Sequence, residues 1–245
     1  MSLVVLTAPQ PSAISRKVEK FTWGLPRRCV LGGISRALAL YHRVEVHGLE
    51  ALPRGRPLIF VAKHPRTWLY TETLLLGAHA CQASGLVPFR TLQTAEGHRG
   101  ESLAGWLRRQ VGGIPPSQES ALAALRRGES LLVFPGGRRE LYGPRDAIQW
   151  RGRRAYARLA ALTQTPVVPL AILGADRQHL LSVPLGRDRL LFLPLFPLPV
   201  KLTYHFGAPM APPASADAAA VASFSEGVAH ATRQLLALAR ARRGR

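Results

Sequence analysis

Phe60-Val61-Ala62-Lys63-His64-Pro65-Arg66-Thr67-Trp68-Leu69-Tyr70-Thr71-Glu72 is the stretch from which the rest of the chain is read. Pro57 to Ala62, leading into it, is an apolar run of strand length. Lys63-His64-Pro65-Arg66 breaks that pattern. Pro65 disfavours the α region for His64, which places His64 at a strand end or in a loop. A histidine there titrates near neutral pH and can act as a general base. Downstream, Thr71 to Gln82 carries Leu74, Leu75, Leu76 and Ala78 on or near one apolar face, which predicts a helix.

The same alternation of apolar runs and helical stretches continues along the chain and predicts an α/β fold. Tyr41 to Gly48 alternates with strand period, and Gly48 to Pro53 is a turn. Leu86 to Leu92 is a further strand. Ser102 to Val111 reads as a helix. Ser117 can cap a helix over Gln118 to Arg127, which Gly128 ends. Arg151 to Thr163 reads as a helix stopped by Thr165-Pro166. Val167 to Leu173 is a buried-strand run ending at Gly174-Ala175-Asp176, where Asp176 is either a turn residue or functional. Val200 to Phe206 is a strand, and Asp217 to Ala239 a helix before the basic cluster Arg240 to Arg245. His42 and His47 read as framework residues.

Leu131 to Glu140 is the second informative stretch. A buried strand runs into Pro135-Gly136-Gly137-Arg138-Arg139-Glu140, whose two glycines allow close backbone approach. Exposed backbone N–H groups with two arginines can cradle a phosphate or an oxyanion.

These blocks, in this order over residues 41–210, resemble the glycerolipid acyltransferase superfamily. That family carries His-x4-Asp, or a looser His-x5-Asp, between a strand and a helix. Gly112-Gly113-Ile114-Pro115-Pro116-Ser117 resembles its Gly-x-x-Pro-x-Ser segment. Residues 135–140 resemble the Pro-Gly-Gly-x-Arg-Glu block of the branch that acylates diacylglycerol or long-chain alcohols. The resemblance implies one α/β domain with a mainly parallel or mixed sheet flanked by helices. It implies transfer of a fatty acyl group from an acyl thioester, acyl-CoA or acyl carrier protein, to a hydroxyl of a lipid acceptor, with His64 as general base. No metal and no cofactor besides the acyl donor are implied. The family aspartate is replaced here: Leu69 and Tyr70 stand five and six positions after His64, and the nearest downstream acid is Glu72. Glu72 is therefore expected to support His64, with Tyr70, Glu140 or no group at all as the competing readings. Arg66, Tyr70, Gly136, Gly137, Arg138, Arg139 and Glu140 are the candidate substrate-binding residues.

The resemblance divides the chain into an arm and basic, apolar helical segment (1–40), the acyltransferase-like domain (41–210), and a C-terminal helix with a basic tail (211–245). Within residues 16–40, Pro26 and Gly32-Gly33 are expected to split any helix. Residues 184–199, with four prolines, are excluded from one long helix or a central strand. Residues 21–40 and 190–199 are expected to meet a bilayer.

The formal net charge is +19, and 29 of the 33 basic residues are arginine. Arg- and Ala-biased codon usage explains this as readily as an anionic partner does. An anionic membrane surface suits the apolar stretches. A nucleic acid does not, because the chain has no recognised binding motif and no basic run interleaved with aromatics. Cys29 and Cys81 match no metal spacing and no disulfide framework, which favours a reducing compartment. No run reaches the ~18–20 apolar residues of a spanning helix. The expectation is a cytoplasmic protein, peripheral on the inner face of the membrane. A catalytically silent lipid-binding relative is the alternative to the enzyme.

Overall fold

The computed structural model describes residues 25–67, 85–92, 112–143, 147–184 and 190–243. The helices expected over Thr71–Gln82 and Ser102–Val111 lie outside these residues. In chain order the described elements are α1 (Leu25–Tyr41), β1 (Glu45–His47), β2 (Ile59–Ala62), β3 (Phe89–Leu92), β4 (Gly113–Ile114), α2 (Gln118–Arg126), β5 (Ser130–Val133), α3 (Arg138–Tyr142), α4 (Ala155–Thr163), β6 (Val167–Leu173), β7 (Leu181–Pro184), β8 (Leu190–Leu193), β9 (Thr203–Phe206) and α5 (Ala218–Arg243).

Seven strands form one sheet in the order β1-β9-β6-β2-β5-β3-β4. Every pairing is parallel except β6 with β9. The mainly parallel sheet flanked by helices expected from the sequence is the observed architecture. The apolar run before His64 becomes β2, paired on one side with β5 and on the other with β6. A central parallel strand is covered on both faces and so reads as continuously apolar. Phe60 and Ala62 face the core that Leu38 and Ala39 of α1 also pack against. Ile59 and Val61 face the core shared with α2, α4 and α5. Full burial of each large side chain is worth about 1.5–3 kcal/mol.

Local signals set several element ends. The Ser117 hydroxyl accepts the Ser120 N–H at 3.1 Å and starts α2. Helix α5 packs Leu236 and Ala239 on Ala171 and Leu173 of β6.

Three expectations are corrected. Helix α1 is unbroken over 17 residues, with Pro26 and Gly32-Gly33 inside it. Pro26 falls in the first turn, where no intrahelical N–H bond is lost. Each glycine costs only about 1 kcal/mol, and the packed C-terminal half offsets that. Tyr41 to Gly48 is a strand only at Glu45–His47, because α1 runs through Tyr41. Residues 151–154 precede α4 as a turn and do not belong to it.

At the sheet edge the His205 ring of β9 stacks on His47 of β1, with centroids 4.5 Å apart. Burial first, then His47 and the Arg242 guanidinium, push His205 down from 6.5 to about 4. The folded state keeps His205 neutral where the unfolded chain takes a proton. That contribution to stability is whole above about pH 6.5 and is lost as pH falls toward about 4. The thermal midpoint should therefore drop across this window, and less steeply in His205→Gln. Equal slopes in the two proteins would show that His205 does not carry the acid sensitivity.

Candidate active site

Strands β5, β2 and β6 lie side by side and parallel, so the loops leaving their C-terminal ends meet at one edge of the sheet. Such an edge is where α/β sheets place their clefts. After β2 comes the His64 loop, after β5 the Pro135-Gly136-Gly137 turn and α3, after β6 the turn Gly174–Arg177.

Each neighbouring loop supplies an acceptor to the His64 loop. Glu140 of α3 is fully buried, at 0% exposure. Its Oε2 accepts the His64 backbone N–H at 2.7 Å, and its Oε1 accepts the Gln149 N–H at 3.0 Å. Asp176 Oδ1 accepts the Arg66 backbone N–H at 2.5 Å. Thr67, itself buried, lies 3.0 Å from His179 Nε2. His179 Nδ1 donates to the Pro194 carbonyl at 2.9 Å. With Nδ1 as the donor to that carbonyl, Nε2 is the ring atom that faces the Thr67 hydroxyl.

The His64 ring packs at 5.0 Å from Phe134, between ring centroids. Its Nδ1 lies 2.7 Å from the Pro65 carbonyl. A carbonyl only accepts, so Nδ1 carries the proton and Nε2 the lone pair. Burial, and secondarily the Lys63 ammonium, lower the His64 pKa below 6.5, against the opposing pull of the Pro65 bond and the Asp176 carboxylate. The imidazole is thus the neutral, basic form at pH 7.

The glycine turn is shaped around Glu140. A Cβ on Gly136 would stand 2.1 Å from Glu140 Cδ. Gly137 has φ +49° and starts α3. Arg153 Nη1 donates to the Pro135 carbonyl at 3.4 Å. Arg138 lies over the Tyr142 ring at 5.7 Å, and Arg139 is exposed.

A family model for acyltransferases matches residues 43–173, just over half of the chain. The chain belongs to the acyltransferase family. The matched segment holds His64, Glu140 and all three strands that meet at the site. Uncharacterized proteins of Mycobacterium tuberculosis and Mycobacterium bovis are 29% identical over 189 residues, covering 69% of this chain and 52% of theirs. The chain thus spans about half the length of these curated relatives. The solved structure of the 1-acyl-sn-glycerophosphate (LPA) acyltransferase PlsC from Thermotoga maritima superposes with a TM-score of 0.60 at 20% identity. It covers 92% of this chain and 86% of PlsC, and it shows the shared fold.

In this member of the family the sequence-predicted residues fall into three groups. His64, Gly136, Gly137 and Glu140 are brought together. Glu140, grouped by sequence with the substrate-binding residues, is turned inward, and both its oxygens hold backbone N–H groups. Its carboxylate ties the His64 loop to the Gln149 backbone. Arg66 fixes the loop through its backbone, and its guanidinium reaches Ser182 Oγ at 3.1 Å and the Gly143 carbonyl at 3.5 Å. Its Nε is buried and makes no hydrogen bond among the described residues. Glu72 and Tyr70 lie outside the described residues. Sequence reasoning passed over Thr67 and His179 and left Asp176 between two readings. The one available signal was Gly174-Ala175-Asp176 ending a buried strand, since a polar residue there faces the same edge as His64 if the strands are neighbours.

Proposed function

We propose that this acyltransferase moves a fatty acyl group from an acyl thioester to the hydroxyl of a lipid acceptor, with His64 as general base. The observation that carries the proposal is the Pro65 carbonyl 2.7 Å from Nδ1 of the half-buried His64 ring, which leaves Nε2 as the basic atom. With Nδ1–H held by the Pro65 carbonyl, Nε2 takes the acceptor's hydroxyl proton as the oxygen attacks the thioester carbonyl. The tetrahedral adduct collapses, the C–S bond breaks, and the imidazolium returns the proton to the leaving thiolate. An ester and a free thiol result. The donor is acyl-CoA or acyl carrier protein. Arg66, Arg138 and Arg139, with the Gly136-Gly137 turn, would bind the phosphate of the acceptor or the carrier. Glu72 and Tyr70 are proposed as further members of the site, Glu72 as the partner of His64. The acceptor's membrane is proposed to be anionic at its surface, with the chain peripheral on its inner face. No helix among the described residues is long and apolar enough to cross a membrane.

The test is incubation with labelled acyl-CoA or acyl carrier protein and a pool of lysophosphatidate, diacylglycerol and long-chain alcohol, followed by lipid extraction. A labelled ester is expected, and its absence with both donors refutes the proposal. Because the folded His64 pKa lies below 6.5, the rate should stay level down to about pH 6.5 and fall only under it. A loss of rate already between pH 8 and pH 7 would point to a different base. Leu69 and Tyr70, standing where the family has aspartate, favour a second reading: a silent lipid-binding relative. Under it, wild type transfers nothing and Tyr70→Asp gains activity.

A further inference from the structure

We infer that the β7–β8 hairpin and the loop after it are the face by which this chain docks on an anionic lipid bilayer, directly beside the His64 loop. The two strands form a ladder of their own, apart from the main sheet. Side chains alternate across such a ladder, and the alternation divides it cleanly. Ser182 and Phe192 pair across it and face inward. Ser182 binds Arg66, and Phe192 is buried against the His179 ring at 5.3 Å. Leu181 and Val183 face outward, at 63% and 41% exposure, opposite Leu193 and Leu191. Leu180 before the ladder and Leu195 and Phe196 after it are 71%, 55% and 65% exposed.

The second apolar segment joins the same face. Tyr41 at the end of α1 meets the Phe196 ring at 5.8 Å and donates to the Pro197 carbonyl at 2.9 Å. Leu40 beside it is 80% exposed. Singly scattered leucines are ordinary on a soluble surface; a contiguous set of this size marks an interaction face. Its rim selects the occupant. Exposed Arg43 donates to the Pro199 carbonyl at 2.9 Å, and exposed Arg177 stands in the turn before β7. An apolar centre with a cationic rim, on a chain of net charge +19, matches a bilayer whose headgroups are anionic. The inward face of the same hairpin is bonded to the His64 loop through Arg66–Ser182, and His179, just before the hairpin and packed on its Phe192, contacts Thr67 of that loop. A lipid entering at the hairpin therefore arrives next to His64. In that last respect the inference rests on the proposed lipid acceptor.

The test is co-sedimentation of the full chain with phosphatidylcholine vesicles, with and without an equal share of phosphatidylglycerol. Wild type should bind the anionic vesicles more tightly. Leu181→Asp/Phe196→Asp should weaken that binding about 100-fold, since each buried side chain contributes roughly a factor of ten or more. Leu162→Asp, at a comparably exposed position on α4 (49%), should bind as wild type does. Unchanged thermal midpoints verify folding. The inference is overturned if the double variant binds like wild type, if Leu162→Asp loses as much, or if the face proves to be a lipid-independent dimer contact that the double variant dissociates. Failure of the acyl-transfer proposal would show differently, as intact vesicle binding with no labelled ester.

Discussion

His64→Ala is expected to lose acyl transfer by about 10²- to 10⁴-fold, the usual contribution of a positioned general base. The variant should keep its fold, because the contacts that fix this loop run through the backbone and through neighbours. The His64 N–H still donates to Glu140, the Arg66 N–H to Asp176, and Thr67 still meets His179. The loss should therefore appear in kcat, with donor KM and vesicle binding little changed. A thermal midpoint more than a few degrees below wild type would indicate that the ring's packing on Phe134 matters more than its proton. Full turnover in a folded His64→Ala protein would remove His64 from the chemistry. The companion variants Glu72→Gln and Tyr70→Phe measure what these two side chains add to an imidazole whose Nδ1 already has an acceptor in Pro65. Glu72→Gln is expected to lower the rate and Tyr70→Phe is not.

The second large effect belongs to Glu140. Glu140→Ala removes the acceptor for two N–H groups at once, those of His64 and Gln149. A buried donor left without a partner costs about 1–3 kcal/mol, so the two together should destabilise the protein by about 2–6 kcal/mol. Glu140→Gln keeps the volume and one acceptor oxygen, but its NH2 group then faces the other N–H. The expected order of stability is wild type, then Gln, then Ala, read from urea unfolding. Activity should follow the same order, chiefly through kcat, because the released His64 backbone no longer sets the ring against its target. A Glu140→Gln protein as active and as stable as wild type would show that the two backbone bonds do not position His64. Burial raises the Glu140 carboxyl, while the two N–H donors and the Lys63 ammonium act against it. A group held at this cost in a site is a sign that its position matters.

Much of the scaffold is legible in local pattern. The run Pro57 to Ala62 reads as a strand from its length and apolar character, and the structure shows β2 covered on both faces. Val167 to Leu173 reads as β6 for the same reason, and Ser117 announces the start of α2 through its hydroxyl. Pro65 places His64 outside the strand. Helix α1 is the counter-example. Its proline and two glycines are breakers in a peptide, yet packing of its C-terminal half on the core outweighs them.

The residues alone show that a basic, proline-stiffened histidine loop follows one strand, and that a glycine turn with a glutamate follows another. They do not determine what either loop touches. The partners of His64, Arg66 and Thr67 lie 76, 110 and 112 residues away in the chain. Their meeting depends on β2 lying between β5 and β6, and strand order is a property of the assembled sheet that no local periodicity encodes. For the same reason the residues left Glu140 as only one of several competing partners for His64, and its bond to the His64 backbone rather than to the ring was not foreseen. Only the closing of α3 over Gly136, which leaves no room there for a Cβ, carries its carboxylate under the histidine loop.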